Sequence, residues 1–110
     1  MSEDRRHPRI YYSGLVFVAW QTFQGERNHV LGRCLDVSEY GLGLALYKRI
    51  PVGAFVKVRC YALNVDCSAI VRHCAMRAGR YTLGLELSET VSQEVLDELT
   101  AGQIVATATA

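Results

Sequence analysis

Two short stretches carry the residue types best suited to binding chemistry. One is Arg5-Arg6-His7-Pro8-Arg9, and the other is Asp36-Val37-Ser38-Glu39-Tyr40-Gly41. Arginine presents a planar fork of donors that pairs with a phosphate or with the O6/N7 edge of a guanine, and it also stacks on a base. Pro8 biases His7 away from helix, so Arg5 and Arg9 lie on an extended segment, their Cα atoms up to ~14 Å apart. That separation suits two guanidiniums gripping one small dianion from opposite sides. Asp36 only accepts hydrogen bonds, and its natural partner is a cluster of N–H donors such as the N1–H and N2–H₂ edge of guanine. Ser38 adds a hydroxyl, and Gly41 permits positive φ and close approach of a ligand to the backbone. A guanine nucleotide with more than one negative charge satisfies both stretches. Each alone has a plainer explanation: Asp-x-Ser-x-x-Gly is a common capped turn, and a basic run is usually a solvated tail. It is their joint occurrence, in this order, that points to a site.

These residues need a scaffold, and the chain is long enough for one. Its 110 residues favour a single domain with a small core. The net charge of +1 offers no global field for nucleic acid or an anionic membrane, so an anion site must be local. No apolar run is long enough to span a membrane. The N-terminus lacks the apolar stretch of a secretory signal, which gives the expectation of a cytoplasmic protein. Cys34, Cys60, Cys67 and Cys74 do not have metal-site spacing and read as small buried hydrophobes. His7, His29 and His73 are scattered, and no nucleophile–base arrangement or paired carboxylates stand out. The expectation is a non-enzyme with no cofactor and no metal.

Along the chain, Ile10 to Phe23 is rich in aromatic and β-branched residues, with Leu15 to Trp20 a firm strand. Gln24 to Asn28 is a turn. His29 to Val37 alternates, placing Val30, Gly32, Cys34 and Asp36 on one side and Leu31, Arg33, Leu35 and Val37 on the other. Further strands are expected over 41–46, 54–62, 65–74 and 81–87, with turns at Asn64 and Met76 to Arg80. Val91, Val95, Leu96 and Leu99 mark one helical face, with Thr90 and Gln93 as a capping box and Gly102 as the stop. Strands at such regular spacing predict a small all-β antiparallel barrel or sandwich with one C-terminal helix.

The pattern resembles the PilZ domain family. Arg5 and Arg9 match its Arg-x-x-x-Arg before the first strand. Asp36, Ser38 and Gly41 match its Asp/Asn-x-Ser-x-x-Gly after the second, and Tyr81, Gly84, Leu85 and Leu87 match its last strand. The resemblance implies an all-β fold, a six-stranded antiparallel PilZ-type β-barrel with a C-terminal α-helix. It divides the chain into a ligand-binding arm over 1–9, a barrel domain over 10–100 and a frayed tail over 101–110. It implies a bacterial receptor for the second messenger cyclic di-GMP. Arg5 and Arg9 would contact phosphate and guanine edges, Asp36 and Ser38 would hydrogen-bond a guanine, and Gly41 would give clearance. Arg6 would be an auxiliary cation. Ordering of the arm would signal to a downstream protein, in motility, adhesion or biofilm behaviour.

Two alternatives stand beside this. One is a PilZ-like adaptor that acts through protein contacts without ligand. The other is a single-stranded nucleic-acid-binding barrel stacking bases on Trp20, Phe17 and Tyr61. The low net charge, and the tendency of strand aromatics to be core, argue against it.

Overall fold

Alternation of leucine with small residues in Gly41-Leu42-Gly43-Leu44-Ala45-Leu46 sets one face of a strand into a core and leaves almost nothing on the other. The computed structural model describes residues 9–109, and side chains are described for residues 9–102. Its strands are β1 (Ile10–Gln21), β2 (Arg27–Val37), β3 (Gly41–Leu46), β4 (Phe55–Cys60), β5 (Val65–Arg77) and β6 (Arg80–Leu87). A single 3-10 turn, Tyr61–Leu63, separates β4 from β5, and one helix, α1 (Gln93–Thr109), follows β6. The strands form a closed antiparallel barrel in the order β1-β2-β3-β6-β5-β4, with β4 paired back onto β1. Closure gives every strand a neighbour on both sides, although β4 pairs only with Phe17 to Ala19 of β1, and so removes the edge strands that are the usual liability of a small sheet. The fold class is the one expected.

The interior is filled by every second residue. Val16 and Val18 of β1, Leu42, Leu44 and Leu46 of β3, Val56 and Val58 of β4, Val71 of β5, and Leu83 and Leu85 of β6 are all buried. Val91 and Leu96 extend this core, bringing α1 onto the barrel. Ser92 caps the helix, its Oγ accepting from Val95 N–H at 3.2 Å, in place of the expected pair of Thr90 and Gln93. The helix also continues through Gly102 to Thr109, so Gly102 is not its stop.

Other boundaries shift for local reasons. The connection between β5 and β6 shrinks from the expected Met76 to Arg80 to the pair Ala78-Gly79. Both have positive φ (53° and 81°), as a tight hairpin demands, so Met76, Arg77 and Arg80 lie in strands. Asn64 is the turn residue expected, in the left-handed region at φ 57°.

The predicted alternation of β2 fails near its end. Cys34 pairs with Leu44, but Asp36 pairs with Gly43 and Val37 with Leu42, so the register shifts at Leu35. This β-bulge lets Cys34 and Val37 both point inward and turns Asp36 to the outer surface.

Cys34, Cys60 and Cys67 are buried, Cys74 is partly so, and all four are free. Burial, with the Cys60 and Asp36 groups adding to it, pushes the Cys34 thiol up from 9.0 to about 12. Burial also raises Cys60 and Tyr12. A raised folded pKa gives stability that is complete below the unfolded pKa and is lost as pH climbs through the folded one. The urea midpoint is therefore expected to hold between pH 6 and 8 and to fall once pH exceeds about 9. A flat midpoint to pH 11 would show that these groups titrate alike in both states.

Candidate ligand-binding site

Pairing of Ile10 with Val37 places Arg9 opposite Ser38 and Tyr11 opposite Asp36. The strand register thus brings the last arginine of the arm onto the turn between β2 and β3. Arg9 Nε stands 3.0 Å from Asp36 Oδ1, and an Arg9 guanidinium N–H donates to Ser38 Oγ at 3.3 Å. The Asp36 contact is ionic rather than a well-aligned hydrogen bond. Asp36 Oδ1 is closed off from solvent, yet among the described residues it receives no hydrogen bond of proper geometry. A buried carboxylate oxygen in that condition is costly, and a donor-rich ligand relieves the cost.

The turn is fixed from several directions. Ser38 N–H donates to Gly41 O at 2.9 Å. Leu87 N–H donates to Tyr40 O at 2.9 Å, and Val91 N–H to Glu39 O at 2.8 Å. The turn is therefore bolted to the end of β6 and to the entry of α1. Ser38 is a buried polar residue, 4% exposed, and its hydroxyl points to Arg9.

Gly41 serves this site through space and not through its dihedral freedom. Its φ is not positive, contrary to one reason given for a glycine there. A Cβ at Gly41 would lie 2.8 Å from the Leu85 carbonyl oxygen, 3.6 Å from Ser38 Oγ and 3.7 Å from an Arg9 guanidinium nitrogen. The first of these is backbone and cannot yield easily. Gly43 has a matching role that the sequence reading missed. A Cβ there would lie 2.6 Å from Asp36 Oδ1, so the carboxylate rests directly over the strand backbone. The signal available was the pair of glycines flanking Leu42, read only as small residues in an alternating strand.

Arg9, Asp36, Ser38 and Gly41 are thus brought together. Arg5 and Arg6 lie outside the described residues. Among the described residues no group of three potential metal ligands exists, and no helix is long and apolar enough to cross a membrane. Of the aromatics considered for base stacking, Phe17 and Tyr61 are exposed rather than core, 48% and 73%, and Trp20 is partly buried. Trp20 lines a separate groove of about 1300 Å³, shared with Phe23, Phe55, Arg27, Lys48 and Lys57.

No curated protein matches the chain by sequence. Among solved structures, it resembles Escherichia coli YcgR in complex with c-di-GMP. The TM-score is 0.61 at 18% identity, covering 97% of this chain and 47% of that one. The isolated PilZ domain of E. coli YcgR with c-di-GMP gives 0.58 at 19% identity, covering 89% and 87%. The Bacillus subtilis inhibitor of motility, MotI/DgrA, gives 0.56 at 17%, covering 91% and 50%. The chain spans about half the length of full YcgR and MotI/DgrA. At these identities the likeness establishes the fold. The PilZ domain model matches residues 3–102, nearly the whole of the barrel and its helix, and on that match this chain belongs to the PilZ domain family.

Proposed function

We propose that this protein is a cyclic di-GMP receptor and not an enzyme. The supporting observation is the convergence of Arg9, Asp36 and Ser38 around Gly41 on the outer face of the barrel. Asp36 accepts from the N1–H and N2–H₂ edge of one guanine, Ser38 hydrogen-bonds the same base, and Arg9 turns from Asp36 toward a phosphate or a guanine O6/N7 edge. Arg5 grips the ligand from the other side, with Arg6 as an auxiliary cation. The two structures of E. coli YcgR with c-di-GMP among the structural neighbours support the choice of ligand.

Binding fixes the arm over residues 1–9 against the barrel, at about 1–2 kcal/mol of backbone entropy per residue ordered. Ligand contacts exceed that cost, and the covered surface is what a downstream protein reads. The site of action is cytoplasmic.

Guanine selectivity tests the reading. In equilibrium dialysis, labelled cyclic di-GMP is expected to bind and to be displaced by unlabelled cyclic di-GMP, but not by cyclic di-AMP, whose purine edge lacks the N1–H and N2–H₂ donors that Asp36 requires. Equal displacement by both would remove Asp36 from the recognition role.

The nucleic-acid alternative has one feature in its favour, the groove where Trp20, Phe23 and Phe55 stand among Arg27, Lys48 and Lys57. Binding of a single strand there would weaken steeply with salt.

A further inference from the structure

The barrel has register shifts at three places: between Tyr11 and Gly14 in β1, between Cys34 and Asp36 in β2, and between Val71 and His73 in β5. All three border one row of residues. Asp36 pairs with Gly43, Gly43 with Gly84, and Gly84 with His73, so the row crosses β2, β3, β6 and β5. The residues before and after the glycines, Leu42, Leu44, Leu83 and Leu85, are buried in the barrel, which puts the row on the outer face. Bulges re-aim side chains, and they concentrate beside sites. The bulge at Leu35 turns Asp36 outward, and the one at Arg72 does the same for His73, since Val71 before it is buried.

The two ends of the row are built alike. The Asp36 carboxylate lies over Gly43, and the His73 imidazole lies over Gly84, where a Cβ would be 2.1 Å from Nε2. Gly43 and Gly84 are direct partners on neighbouring strands, about 5 Å apart. A carboxylate and an imidazole therefore reach toward each other over a bare glycine floor. His73 is exposed and, among the described residues, has no hydrogen-bond or ion-pair partner, whereas Arg72 beside it is paired with Glu86.

Resting on the cyclic di-GMP reading, we propose that His73 is a ligand-contacting residue and that its ring is the wall on which a guanine held at its edge by Asp36 stacks. The tip of the imidazole is turned into the floor at Gly84, which leaves the ring face as the surface offered to a flat ligand. Gly84 has the task of leaving room for the tip of the ring.

Isothermal titration with cyclic di-GMP separates this from the broader reading. His73→Ala is expected to bind about tenfold more weakly or worse, and His73→Phe within about threefold of native. His73→Gln, polar but not a ring, behaves like His73→Ala. Gly84→Ala, which displaces the imidazole, also weakens binding, and adding it to His73→Ala causes little further loss. Unchanged thermal melting of His73→Ala confirms that the fold is intact, as exposure of the residue predicts. Native affinity in His73→Ala, or rescue by Gln and not by Phe, overturns this inference while leaving the receptor reading in place. Absence of binding by the native protein overturns both.

Discussion

Asp36→Ala is expected to weaken cyclic di-GMP binding on the order of a hundredfold, with the fold intact. Hydrogen bonds to a charged group are worth about 1.5–3 kcal/mol each, and in the proposed complex the carboxylate would offer its two oxygens to the adjacent donors of one guanine edge. Stability should hardly change. The Arg9–Asp36 pair is half exposed, with 44% and 31% of the two side chains accessible. Such pairs contribute about 1 kcal/mol at most. The substitution also deletes the enclosed Oδ1 that lacks a well-aligned donor. A residue whose loss removes affinity and spares folding is held for its ligand. The paired measurement is titration of the variant beside its urea melt. A large drop in stability with affinity retained would make Asp36 a structural cap of the turn.

Leu44→Ala is the opposite case. Leu44 is fully buried at the centre of β3, with Cys34 and Leu83 as its partners on either side. β3 joins β2 to β6, so the strand that carries Gly41 and Gly43 is held in place by this side chain and its neighbours Leu42 and Leu46. Truncation leaves a cavity, and buried leucine-to-alanine changes cost about 2–5 kcal/mol. For a domain of this size that is a fall in Tm of about 10 °C or more, out of a total stability of about 5–15 kcal/mol. Affinity for ligand below the new Tm should stay near native, because Leu44 points away from the outer face. A shift of only a degree or two in thermal melting would mean that the barrel collapses around the gap.

The barrel was legible because its core strands obey a simple period. Leu42, Leu44 and Leu46 alternate strictly, and so do Leu83, Leu85 and Leu87, and both trios are buried. Asn64 announced its turn because few residues accept positive φ. Of the candidate site, Asp36, Ser38, Gly41 and Arg9 could be picked out by type and spacing, and the register brings them together, while Arg5 and Arg6 lie outside the described residues. The bulges at Leu35 and Arg72 could not be read, since an extra residue on one strand shows only against the register of its partner strand. That is why Asp36 was first placed on the same side as the buried Cys34, and why His73 looked like a scattered histidine. Gly41 was read for dihedral freedom, when the constraint is the nearby Leu85 carbonyl, a long-range neighbour visible only after folding. The helix cap moved from Thr90 to Ser92 because both residue types qualify and only the backbone path decides between them.

Titration of the native protein with cyclic di-GMP, beside Arg9→Ala, bears most directly on the receptor claim. Arg9 is the described arginine that the fold sets against Asp36 and Ser38. The expected result is saturable heat at micromolar ligand or tighter, lost or weakened at least about tenfold in Arg9→Ala. No binding by the native protein, or equal binding by Arg9→Ala, would contradict the account and direct attention to protein contacts alone.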